Sequence, residues 1–276
     1  IALIIAAIAY FRDTDPPLVT LTPATGPVSP ATPLTLQVHD EGTGLKVVDV
    51  NLVQGDLRIS LDRQEFQTPL EQTTIELSLE GLRLREGTFT VEVSATDQAI
   101  YRLGKGNTAE ASFELLNDSR PPAISVISRA HNFTRGGAGL VTYSLDEPVK
   151  RSGVVFGDHF FPAFQQPSGM YVSAVTFPYY QDPKEFVPRI VAVDLADNER
   201  QAGIYYRANN QQFRQRQINI TDSFLDMTLP EFIHQVPSFD TPLETFLHIN
   251  RELRKQNRAA VAALATETAS EPQWEG

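Results

Sequence analysis

The feature that most constrains this chain is that its punctuation occurs twice. Asp13-Thr14-Asp15-Pro16-Pro17 leads into the extended run Leu18-Val19-Thr20-Leu21-Thr22-Pro23, and Asp118-Ser119-Arg120-Pro121-Pro122 leads into Ala123-Ile124-Ser125-Val126-Ile127. In each copy the Pro pair stiffens the opening and forbids helix, and apolar residues then alternate with small polar ones at strand period. The copies also end alike. Val91-Glu92-Val93-Ser94-Ala95-Thr96-Asp97 and Val191-Ala192-Val193-Asp194-Leu195-Ala196-Asp197 each run as a strand into Asp and then a turn, at Gly106-Asn107 and Asp197-Asn198. The interval is that of one immunoglobulin-sized unit, roughly 100 residues. Two tandem Ig-like β-sandwiches are therefore expected, over residues 13–117 and 118–208, and the chain reads as mainly β.

Nineteen Pro and sixteen Gly spread along 276 residues suit many short elements joined by turns. In the first unit, further strands are expected at Leu34-Thr35-Leu36-Gln37-Val38, Val47 to Leu52, Leu57-Arg58-Ile59-Ser60-Leu61 and Thr74 to Leu79, with glycines in the breaks. In the second, they fall at Leu140 to Leu145, Ser152 to Phe156, Met170 to Val175 and Arg189 to Val193. Two aromatic stretches of the second unit read as loops, His159-Phe160-Phe161-Pro162 and Phe177-Pro178-Tyr179-Tyr180. Such rings either complete a small core or form an exposed contact patch. Phe160, Phe161, Phe177, Tyr179 and Tyr180 are the candidate partner-contact residues.

The flanks differ from this body. The uncharged run from Ile1 to Phe11 resembles the outer half of a transmembrane helix, because at about 1.5 Å per residue it spans about half of a ~30 Å hydrocarbon core. Ile1, Leu3, Ile4, Ile5, Ile8, Tyr10 and Phe11 are its membrane-anchor candidates, within residues 1–12. From residue 209 to 265 the pattern turns helical. Thr221-Asp222-Ser223 offers a capping start, Leu229-Pro230 a restart, and Thr241-Pro242-Leu243-Glu244 a capping box with Pro at the first helical position. The last helix is expected to reach Ala265, with Phe246, Ile249, Leu253, Ala260 and Leu264 on one line and Arg251, Arg254, Lys255 and Arg258 on the other face. Residues 266–276 read as an acidic linker.

A formal charge of −11 argues against nucleic-acid binding, and the absence of cysteine excludes disulfides and thiolate metal sites. The five histidines, His39, His131, His159, His234 and His248, lie scattered, without the paired spacing of a zinc site. Phosphate-loop and nucleophile-elbow patterns are absent, so no catalytic residue is expected in this span. Asp13, Asp15, Asp40, Glu41 and Asp97, at the ends of the first unit, read first as turn and cap residues and, by donor type, also as calcium candidates.

One stretch carries a family likeness. Asp118 to Asp158, most specifically Ser128 to Leu140, together with Ser144-Leu145-Asp146-Glu147-Pro148-Val149 and Phe246-Leu247-His248-Ile249-Asn250-Arg251-Glu252-Leu253-Arg254, resembles the amino-terminal region of bacterial membrane-anchored, lysostaphin-type (LytM-type) zinc murein endopeptidases. The resemblance implies an anchor in the inner membrane, Ig-like domains in the periplasm and a helical linker ahead of a peptidase domain. It implies peptidoglycan as the parent's substrate and zinc only in that further domain. The family's His-x-x-x-Asp and His-x-His elements have no match here. The resulting expectation is a non-catalytic scaffold that tethers a cell-wall metallopeptidase to the bilayer. The alternative is a single-span accessory subunit capping a larger membrane complex, with partner subunits around its anchor.

Overall fold

The computed structural model describes residues 13–100 and 105–266. The anchor run at residues 1–12 lies outside them, and among the described residues no helix is long and apolar enough to cross a membrane. The chain falls into two compact units that divide between Gln211 and Gln212.

The first sandwich contains β1 (Leu18–Thr22), β2 (Gly26–Val28), β3 (Leu34–His39), β4 (Leu45–Gln54), β5 (Leu57–Leu70), β6 (Gln72–Leu77), β7 (Gly87–Asp97) and β8 (Thr108–Asn117). They form a β1-β3-β6 sheet and a β2-β8-β7-β4-β5 sheet. Alternation decides which residues meet between them. Strand β7 buries Phe89, Val91, Val93 and Ala95 and turns Glu92 and Ser94 outward, while β3 supplies Leu34, Leu36 and Val38 from the other sheet. Strand β5 continues nine residues beyond the expected end at Leu61. It is an edge strand, so Arg63 and Glu65 remain exposed beside a half-buried Asp62, and charges there discourage pairing with other chains.

The second sandwich contains β9 (Ile124–Val126), β10 (His131–Thr134), β11 (Ala138–Leu145), β12 (Val149–Phe156), β13 (His159–Gln165), β14 (Tyr171–Thr176), β15 (Arg189–Asp194), β16 (Glu199–Gly203) and β17 (Tyr206–Asn209). Seven of these form one sheet ordered β16-β15-β12-β13-β14-β11-β9, and β10 pairs in parallel with β17. The aromatic run at His159, expected as a loop, is strand β13, which pairs with β12 on one side and β14 on the other. Pro162, which has no N–H to give to a ladder, sits opposite Gly153. A Cβ on Gly153 would lie 2.3 Å from the Phe161 carbonyl oxygen and 2.7 Å from the Phe160 ring, so the missing side chain is what admits them. The core is aromatic, built on Phe133, Tyr143, Phe156, Phe177 and Phe186, and shares no buried residue with the first.

The unit that begins at Gln212 is helical. Helix α1 (Asp222–Thr228) is capped by Thr221, and a 3-10 turn follows at Leu229–Glu231, where Pro230 had suggested a restart. Helix α2 (Pro242–His248) passes through a π turn (Ile249–Leu253) into α3 (Arg254–Thr266). The π turn breaks the even spacing of the expected apolar line. Phe246, Ile249 and Leu253 are half-buried, whereas Ala260 and Leu264 are exposed. The capping box is complete: the Glu244 amide donates to Thr241 Oγ1 at 3.2 Å and the Thr241 amide to Glu244 Oε2 at 3.1 Å. Thr241→Ala should therefore destabilise α2 by about 1 kcal/mol. Amide exchange of Glu244 and Thr245 would report it as loss of protection, and unchanged exchange would show that packing alone holds the helix.

Candidate functional site

The calcium candidates of the first sandwich separate in space. Asp13, Asp40 and Asp97 each present an oxygen within 4.8 Å of the others. Asp15 and Glu41 are not part of this trio: the Asp15 amide caps Asp13 Oδ1 at 3.2 Å, and Glu41 lies 3.7 Å from His39 Nε2. A second trio, Asp118, Glu147 and Asp194, meets the same 4.8 Å criterion in the second sandwich. It went unseen in the sequence: Asp118 is the counterpart of Asp13, but the repeat matches Asp97 to Asp197, whereas the strand ends at Asp194 and it is Asp194 that takes the place of Asp97.

The two corners are wired alike. Asp97 Oδ1 accepts the amides of Ala99 at 2.9 Å and Asn107 at 2.7 Å, and Oδ2 accepts Asn107 Nδ2 at 2.7 Å. Asp194 Oδ1 accepts the amides of Ala196 and Asn198, both at 2.8 Å, and Oδ2 accepts Asn198 Nδ2 at 2.8 Å. Each asparagine then gives an Nδ2 hydrogen to the chain entering its sandwich, Asn107 to the Asp13 carbonyl at 3.1 Å and Asn198 to the Asp118 carbonyl at 2.9 Å. The residue before each asparagine is left-handed, Gly106 at φ +78° and Asp197 at φ +65°. At Gly106 a Cβ would come within 2.5 Å of the Asp97 carbonyl oxygen, so the first corner needs glycine; the second uses Asp, one of the few residues that tolerates this region.

Like charges crowd both corners. Burial pushes the Asp40 carboxyl above its ordinary range; the Gly44 amide, 2.6 Å from Oδ2, opposes this, and the charges of Asp97 and Asp13 add to it. Glu147 is raised by burial first and then by Asp118, Asp146 and Asp194. The folded state therefore holds these protons more tightly than the unfolded chain. The stability they contribute is fully present below the unfolded carboxyl pKa and is lost as pH rises through the folded value. Carboxyl-carbon NMR should find Asp40 and Glu147 titrating above the exposed carboxylates, and ordinary values at both would mean that the corners are wetter than their geometry indicates. By donor type either trio suits Ca²⁺, which takes six to eight oxygens. Most of the oxygens here already accept N–H bonds, so a cation would draw much of its shell from water.

The aromatic candidates also separate. Tyr179 and Tyr180 are 64% and 60% exposed and meet edge to face at 5.4 Å. Phe160 is exposed on β13, beneath the Arg151 guanidinium at 5.2 Å. Phe177 is instead a core residue, because β14 turns Ser173 and Val175 inward and Phe177 keeps that phase, stacking on Phe186 at 4.2 Å. Phe161 is half-buried against Phe156, one position out of phase with Phe160. Phe161 and Phe177 therefore complete the core.

One pair resembles catalytic machinery in form. Ser128 Oγ lies 2.6 Å from His131 Nε2, and His131 Nδ1 lies 2.8 Å from the Tyr205 carbonyl oxygen. A carbonyl only accepts, so Nδ1 carries a proton, and the serine hydroxyl has two acceptors in reach, Nε2 and the Thr142 carbonyl oxygen at 3.1 Å. Ser128 Oγ also accepts the Thr142 amide at 3.0 Å, and His131 is buried, so the pair ties β10 to β11 and to the segment before β17.

No family model matches the chain, and no curated protein matches it. Among solved structures, the fibronectin(III)-like modules of Clostridium thermocellum CbhA align over 74% of this chain and all of theirs, at 11% identity and a TM-score of 0.42. A Ca²⁺-stabilized adhesin with which an Antarctic bacterium binds ice aligns over 70% of this chain and 49% of its own, at 10% identity and a TM-score of 0.32. The ICAM-5 D1–D4 ectodomain fragment aligns over 69% and 54%, at 17% identity and a TM-score of 0.28. The strand orders and the two separate cores make the body of the chain a tandem of two β-sandwiches.

Proposed function

We propose that the chain is the non-catalytic spacer of a cell-envelope protein, two sandwiches that hold and orient what the helical arm carries. In the finer reading, drawn from the resemblance at Ser128 to Leu140, the parent is a zinc endopeptidase of peptidoglycan. The parent is anchored in the bacterial inner membrane with its bulk in the periplasm. The observation that supports a spacer is where the buried polar side chains go. The buried Asp97, Asn107 and Asp194, with the half-buried Asn198, bind the chain's own backbone at the two sandwich entrances instead of facing a cleft. Tethering keeps a hydrolase at high effective concentration beside an insoluble substrate.

Mass analysis of the native polypeptide, with zymography on murein, tests both levels. The expected product continues past Gly276, sits in the membrane fraction and clears murein in a zinc-dependent way. A mature chain ending near Gly276 overturns the peptidase reading. Stoichiometric co-purification of partner subunits with that shorter chain would establish the accessory-subunit role in its place.

A further inference from the structure

We infer that Asp118 is structurally shared by the two sandwiches and couples them as one rigid body, with the Asn198 side chain as the latch. The Asp118 amide donates to the Val28 carbonyl at 3.0 Å and so completes the edge of the first sandwich. Its carbonyl accepts Asn198 Nδ2 at 2.9 Å and so belongs to the second. The two bonds leave only the φ and ψ of Asp118 between the bodies, and the peptide plane that follows is tied to both, through the Asp118 carbonyl to Asn198 and through the Ser119 amide to Glu86.

The next residue is held from the first sandwich as well. The Ser119 amide reaches the Glu86 carboxylate at 3.3 and 3.4 Å, its hydroxyl donates to the same group, and Arg120 Nε lies 3.8 Å away. These outer contacts are exposed and count for less than the part-buried Asn198 bond. The latch itself is stiff, because Asn198 is fixed from three directions: its amide and its other Nδ2 hydrogen bind Asp194, and its carbonyl accepts the Asp194 amide at 3.1 Å. Tandem domains ordinarily move relative to each other unless a large apolar interface prevents it. Here a short polar clamp takes that role. The inference holds whatever the arm carries and does not depend on the peptidase reading.

The test is a spin-label distance measurement. The sequence has no cysteine, so cysteines introduced at the exposed positions Thr74 on β6 and Arg200 on β16 are the only labelling sites. The parent should give one narrow distance distribution, and Asn198→Ala should broaden it to about twice that width while circular dichroism stays unchanged. Asn107→Ala removes the equivalent bond at the other entrance and should leave the distribution narrow, which separates the latch from general loosening. Inserting two glycines between Arg120 and Pro121 lengthens the connection without touching either bond of Asp118. The distribution should stay narrow there too, and this variant carries the test if Asn198→Ala does not fold. A broad parent distribution, an unchanged one in Asn198→Ala, or broadening on glycine insertion would overturn the inference; the last would assign the stiffness to the Pro pair.

Discussion

Replacing Phe186 with alanine should destabilise the second sandwich by about 4 kcal/mol. Phe186 is fully buried and is the ring on which the aromatic core converges. It stacks on Phe177 at 4.2 Å and meets Phe156 at 4.7 Å, Phe133 at 5.2 Å and Tyr206 at 6.1 Å. Removing it opens a cavity among rings held in place by their own backbone pairings, and each lost edge or stacking contact adds about 0.5–1.5 kcal/mol. Because the two cores share no buried residue, the first sandwich should keep its own denaturation midpoint. Urea unfolding followed by near-ultraviolet circular dichroism would show this as a separate early transition of the second sandwich. A loss below about 1 kcal/mol would mean that the neighbouring rings close the gap.

Nothing in the sequence singled out Phe186, and the reason is physical. It lies between β14 and β15 in the irregular stretch Pro183-Lys184-Glu185-Phe186-Val187-Pro188, where no period of two or 3.6 marks a buried position. The strands whose burial was legible are those with one wet face and one dry. Strand β7 is the clearest: Phe89, Val91, Val93 and Ala95 alternate with polar partners and are all buried. Strand β13 was illegible for the opposite reason, because a Pro within a short aromatic run signals a loop unless the facing residue is known to be Gly153. At the corners the repeat was visible as punctuation at Asp13 and Asp118, and the first trio was within reach as Asp13, Asp40 and Asp97. The second trio required joining three residues far apart in sequence through a sheet order that only the structure supplies.

Those corners carry the other large effect. Asp194→Ala should destabilise the second sandwich by about 3 kcal/mol and Asp97→Ala the first by a similar amount, because each change strands three donors in a buried place. In the second corner these are the amides of Ala196 and Asn198 and one Nδ2 hydrogen of Asn198; in the first they are the amides of Ala99 and Asn107 and one Nδ2 hydrogen of Asn107. A buried donor left unpaired costs about 1–3 kcal/mol, so the three together set an upper range well above the net value. Two things offset it: the neighbouring carboxylates, Asp118 and Glu147 or Asp13 and Asp40, lose a like-charged companion, and water can enter beside them because most are only part-buried. The asparagine variants separate charge from hydrogen bonding. Asparagine keeps one acceptor oxygen for the two amides but sets its own NH₂ against that of Asn198 or Asn107, so about half of the loss should remain. If charge repulsion dominated, Asp194→Asn and Asp97→Asn would instead be as stable as the parent or more so. Urea midpoints at neutral pH for the four variants decide between these outcomes, and unequal losses at the two corners would end the claim that they are one device used twice.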